Sequence, residues 1–155
     1  MPSAVGRVFV AGLPAQSGGS QERERVERLL ESIGIELYDG WNGLAWHDEP
    51  AALLAIAASR IGELGRCGAV LAFEGTNGLD GGTASIVGFA SALDIPVVCF
   101  SRSRPASQRV ALDLPLAYFV IRSGGRVVTT AVDAAHELAT VFRLATGSPD
   151  RPKPA

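Results

Sequence analysis

The sequence predicts an α/β domain: a five-stranded, mainly parallel sheet in the order 2-1-3-4-5, covered on both faces in a flavodoxin-like or Rossmann-like three-layer arrangement. Three observations predict it. Short apolar runs alternate with helical stretches along the chain, the pattern of strands joined by crossover helices. Two of these runs, Ala69 to Phe73 and Pro96 to Phe100, are apolar throughout, as parallel strands buried on both faces must be. Internal repeats are absent, and right-handed crossovers make 2-1-3-4-5 the economical strand order.

The elements follow in order. Arg7 to Gly12 is a β-branched run ended by glycine, the signature of a central strand, and Leu13 to Gly19 is a loop of Pro, Ser and Gly. The first helix starts near Ser20, a candidate N-cap, with Val26, Leu29, Leu30 and Ile33 as its apolar stripe and Gly34 as its stop. Ile35 to Tyr38 is the second strand. Asp39 to Pro50 holds Trp41, Trp46, His47, Asp48 and Glu49 among glycines, a composition suited to a loop that closes over a site. Ala51 to Gly65 is an alanine-rich helix before the third strand, and residues 82–93 form a small-residue helix before the fourth. Ser101 to Gln108 is a polar loop. Ala117 to Ile121 reads as the fifth strand, with Arg126 to Thr129 as a short edge strand or extension, and Ala131 to Ala145 as the last amphipathic helix. The domain is expected to span residues 1–147, leaving 148–155 as a disordered, proline-rich tail.

Composition narrows the function. With 155 residues, 47% hydrophobic and 19% charged, the chain can bury a substantial core without metal or disulfide. A net charge of −2 gives no support for binding a nucleic acid polymer, and no apolar run approaches the roughly 18 residues of a membrane span. Cys67 and Cys99 read as buried free thiols, and with no signal peptide before Val5 the expected location is cytoplasmic. Two histidines and two cysteines lack the spacing of a zinc site, so neither a metal nor a cofactor is expected.

The most informative stretch runs from Gly68 to Phe100, where a strand, a glycine-rich turn, a helix and a second strand follow one another. The turn places Asp80, Gly81, Gly82 and Thr83 beyond the carboxyl end of a buried strand and at a helix N-terminus, where open α/β sheets take their ligands. Asp80, Gly82, Thr83, Gly88 and Ala90, followed by Ile95-Pro96-Val97-Val98, resemble the nucleoside 2-deoxyribosyltransferase family, which includes the nucleoside 5′-monophosphate N-glycosidases. Val8 to Gly12 and the helix from Gln21 to Leu30 resemble that family's first strand, glycine turn and first helix.

The resemblance implies a nucleoside or nucleoside monophosphate as ligand, a homodimer or higher homo-oligomer, and a set of site residues. Asp80 would position the sugar or departing base, with Gly12, Gly82, Thr83 and Ser85 around it. Ser17, Gly18 and Gly19, before a helix that carries Arg23, resemble a loop that grips a 5′-phosphate. The family nucleophile is a glutamate six residues beyond the aspartate, and that place is held by Ile86; a second family acid falls near Arg60. Isoleucine has no lone pair to attack an anomeric carbon, so a covalent glycosyl intermediate at this position is chemically excluded.

Each residue also has a plainer reading. Asp80 is a good N-cap, Thr83 and Ser85 can satisfy a first helical turn, and residues 15–20 can be an ordinary loop. Glu74, at the end of the third strand, is a candidate to replace the missing acid. Trp41 and Trp46 can stack on a base or plug the core or a dimer seam, His47, Asp48 and Glu49 can be solvated loop residues, and His136 reads as a helix-surface residue. Two functions remain open: an enzyme acting on N-glycosidic bonds, or a nucleoside or nucleotide sensor that keeps the cleft without the acid. Different chemistry on the same scaffold is a third.

Overall fold

The computed structural model describes residues 6–12, 20–39, 49–74, 81–101 and 114–145. The chain runs β1 (Gly6–Ala11), α1 (Ser20–Ser32), β2 (Ile35–Asp39), α2 (Pro50–Leu64), β3 (Ala69–Phe73), α3 (Gly81–Ala92), β4 (Val97–Phe100), α4 (Leu114–Arg122), β5 (Arg126–Val128) and α5 (Ala131–Ala145). The sheet order is β2-β1-β3-β4-β5 and all its pairings are parallel, as the sequence predicts.

Strand periodicity divides the core between the two faces. Val8, Val10, Ala69, Leu71, Val98 and Phe100 pack with Val26 and Leu30 of α1 and Ala134, Leu138 and Phe142 of α5. Phe9, Ala11, Val70, Ala72, Val97 and Cys99 pack with Leu64 of α2, Ile86, Val87 and Ala90 of α3, and Val120 of α4. Every second strand residue therefore belongs to the α1–α5 side and the others to the α2–α4 side.

One expectation is corrected. Residues 117–121 lie inside α4, and the fifth strand is the later segment, Arg126–Val128. Parallel strands need a crossover between them, and only four residues separate Ile121 from Arg126, a connection that suits an antiparallel hairpin. A short apolar run does not by itself distinguish strand from helix. As a helix it buries Val120 and exposes Tyr118 and Ile121, and Gly124, at φ 85°, ends it.

The amino ends of the strands are closed by packing. The Phe142 ring lies against Gly6 and Gly68, where any Cβ would collide with it. At Gly125 a Cβ would overlap the Val97 carbonyl, and the Val97 N–H donates to the Ser123 hydroxyl at 2.9 Å.

Candidate functional site at the carboxyl edge

After β1 the chain goes outward to β2 and then crosses back to β3 on the other side of β1, so the crevice of this sheet lies where β1 and β3 end. Gly12 follows β1, Asp39 ends β2, Glu74 follows β3 and Ser101 follows β4. Arg23 joins them from the start of α1.

On the α1 side the groups are mutually committed. Gly12 has φ 126°, a conformation that favours glycine, and a Cβ there would sit 3.0 Å from the Phe73 carbonyl oxygen. Arg23 is 8% exposed. Its Nε donates to Glu27 at 2.8 Å, its Nη1 to the Gly12 carbonyl at 3.2 Å and its Nη2 to the Asp39 carboxylate, while the guanidinium lies 5.7 Å from the Phe73 ring centroid. Burial works against the Arg23 charge, but Glu27 and Asp39 outweigh it and hold the guanidinium above its ordinary pKa. Each guanidinium nitrogen has a protein acceptor, so Arg23 ties α1 to β1 and β2 where the sequence had placed it beside an anion.

The α3 side differs. By the two-residue period Glu74 falls on the same side as Ala72, and Ser101 on the same side as Cys99, which is the side of α3 and Ile86. The Ser101 hydroxyl donates to Glu74 Oε2. Glu74 Oε1 is buried and has no hydrogen-bond partner among the described residues. Such an oxygen is costly to leave unsatisfied and marks a place for a donor from outside the described residues.

Ile86 is 2% exposed and packed in the apolar cluster with Phe9, Ala11 and Val87. The position at which the resemblance implies a nucleophile is thus a core position. Thr83 is buried in the first turn of α3; Gly82 is exposed; Ser85 is exposed and its hydroxyl donates to the Gly81 carbonyl at 2.7 Å, satisfying the helix start. Asp80, Ser17, Gly18, Gly19, Trp41, Trp46, His47 and Asp48 lie outside the described residues. Glu49 is exposed just before α2 and makes no side-chain cap, and His136 is exposed on α5. Among the described residues no group of His, Cys, Asp and Glu is arranged to hold a metal ion.

Arg60, near the place of the second family acid, donates to the Tyr38 hydroxyl at 2.9 Å and flanks an open depression of about 760 Å³ that also contains Arg7, Ser59 and Glu63. A second depression, of about 510 Å³, lies between the first turns of α1 and α5 and is lined by Glu22, Arg25, Phe100 and Thr130. Sequence reasoning missed Ser101. The signal was its place directly after the fourth strand, equivalent to that of Glu74 after the third, but its partner becomes evident only from the register.

No protein-family model matches the sequence, and no curated protein matches it. Solved structures do. A conserved protein from Enterococcus faecalis superposes with a TM-score of 0.63 at 21% identity, covering 88% of this chain and 99% of that one. A 2-deoxyribosyltransferase from Bacillus psychrosaccharolyticus superposes with a TM-score of 0.68 at 14% identity, covering 87% and 95%. A flavoenzyme NAD(P)H:(acceptor) oxidoreductase from Paracoccus denitrificans is more distant, with a TM-score of 0.51 at 12% identity over 90% and 92%. One scaffold therefore serves more than one chemistry, and within that range this chain has the fold of a 2-deoxyribosyltransferase.

Proposed function

We propose that the chain binds a nucleoside or nucleoside monophosphate at the carboxyl edge and hydrolyses its N-glycosidic bond, with Glu74 as the acid–base group. The observation that carries this reading is the Glu74 carboxylate: it lies on the α3 side, with one oxygen held by Ser101 and the other buried without a partner among the described residues. With Ile86 in the core, the covalent route through that position is closed, and the reading assigns the attack to water. As the C1′–N bond breaks, its electron pair leaves with the base. Water forms the new O–C1′ bond and passes a proton to Glu74, which returns it to the departing base or to solvent. Asp80 would position the sugar, Gly82 and Thr83 would present the start of α3 to it, Ser17, Gly18 and Gly19 would hold a 5′-phosphate, and Trp41 would stack on the base.

The test is chromatography of the protein incubated with nucleosides, deoxynucleosides and their 5′-monophosphates. Release of free base, reduced at least about 100-fold by Glu74→Gln with the fold intact, is the expected result. Base release undiminished in that variant would remove Glu74 from the chemistry. The burial of Ile86 favours a second reading, a binding protein that has exchanged its nucleophile for a core side chain; ligand-dependent thermal stabilisation with no base release identifies it. A homo-oligomer belongs to the same proposal, with the alanine-rich α2 and the small-residue α3 as packing surfaces.

A further inference from the structure

Glu74 and Ser101 occupy equivalent places at the ends of neighbouring strands. The register pairs Phe73 with Phe100, so these two residues form the next step of the ladder. The backbone bonds continue through that step: the Glu74 N–H donates to the Phe100 carbonyl at 2.9 Å and the Ser101 N–H to the Val128 carbonyl at 2.8 Å. Ser101 is 1% exposed, and its backbone is anchored through β5. A glutamate side chain has three torsions to fix, and an acid–base oxygen has to be held to within about half an ångström. The Ser101 hydroxyl, bonded to Oε2, supplies that constraint and distinguishes the two oxygens of the carboxylate.

We infer that Ser101 is the positioning residue of this site: it holds Glu74 Oε2 and so leaves the buried Oε1, which has no bond of its own among the described residues, as the oxygen to accept from a ligand hydroxyl or the attacking water. The inference rests on the role proposed above for Glu74. Ser101 itself touches no reacting atom. Its hydroxyl proton stays on its own oxygen, and the proton lost by water goes to Oε1.

The test compares Ser101→Ala, Ser101→Thr, Glu74→Ala and the double variant Ser101→Ala/Glu74→Ala. Ser101→Ala is expected to lower kcat for base release about 10- to 100-fold, the range of a hydrogen bond to a charged group, with KM changed by less than about threefold. Ser101→Thr, which keeps the hydroxyl, restores most of the rate. In the Glu74→Ala background Ser101→Ala has no further effect, because its partner is already gone. Equal losses in both backgrounds, or a rise in KM alone, overturn the inference. An independent readout is the side-chain carboxyl ¹³C resonance of Glu74, which moves in Ser101→Ala and returns in Ser101→Thr. If the wild-type protein releases no base from any nucleoside or nucleotide, the hydrolytic reading fails while a shifted resonance still supports the hold of Ser101 on Glu74. An unshifted resonance overturns it whether or not base is released.

Discussion

The two ends of the sheet are built from different chemistry. At the amino edge, Gly6 and Gly68 admit the Phe142 ring, Gly125 admits the Val97 carbonyl, and Ser123 receives the Val97 N–H. At the carboxyl edge the corresponding positions carry Gly12, Asp39, Glu74 and Ser101, with Arg23 brought in from α1, and one carboxylate oxygen is left without a partner among the described residues. Ring and carbonyl packed against glycines at the first edge, and a cluster of charged and polar side chains at the second, set the two ends apart, although Arg7 Nε and Ser91 Oγ toward the amino edge are also buried without a hydrogen-bond partner among the described residues. Substitutions at the amino edge should therefore change stability alone, whereas those at the carboxyl edge should divide into a stabilising clamp on the α1 side and, on the α3 side, the carboxylate proposed to act on the ligand.

The largest effect is expected at Gly125. A methyl group there meets a backbone carbonyl that cannot swing aside, so Gly125→Ala should cost about 3 kcal/mol or more and lower Tm by roughly 10 °C. Thermal unfolding followed by circular dichroism measures it. A variant as stable as the wild type would mean that the amino edge is far looser than its contacts indicate.

Next comes Arg23→Met, which keeps much of the buried stem and removes the charge between Glu27 and Asp39. Both carboxylates are about 30% exposed, so the loss should be smaller than for fully buried pairs, about 2 kcal/mol in urea unfolding. In a double-mutant cycle with Asp39→Asn the two effects should be strongly non-additive. Nucleotide binding that collapses in a still-folded Arg23→Met protein would contradict the division drawn within the carboxyl edge and return Arg23 to the ligand.

The strands and the carboxyl edge of the sheet were legible in the sequence, the packing of the amino edge was not, and the limits have physical causes. Continuous apolar runs at 69–73 and 96–100 located the central strands, because burial on both faces leaves no other composition. The run at 117–121 misled because five apolar residues in a row fit a buried strand and a helix equally, and the parallel crossover decided between them. The i, i+4 pair of Arg23 with Glu27 was readable, but its bond to Asp39 joins residues 16 apart and depends on the pairing of β1 with β2. Glu74 was recognisable as an acid at a strand end. That Ser101 holds it follows from a register that no local pattern encodes.

The smallest effect sharpens the comparison from the amino side. Cys67 is 6% exposed just before β3, and its thiol donates to the Glu63 carbonyl at 3.3 Å. Burial pushes the thiol up from 9.0 to about 11, with Arg7 opposing and Glu63 and Glu36 adding to the rise. The neutral form is thus favoured in the folded state, so the contribution to stability is complete below pH 9, where both states hold the proton. It is lost as pH rises toward 11, where the unfolded chain has released its proton and the folded chain still binds one, a change of about 2 kcal/mol. The stability difference between the wild type and Cys67→Ala should shrink across that window. Near pH 8 the native thiolate should be roughly 100-fold scarcer than in the unfolded chain, so in a Cys99→Ala background a disulfide reagent should label the native protein correspondingly slowly. Fast labelling of the native state would show that this end of β3 opens readily, and the description of the amino edge as closed by packing would not survive it.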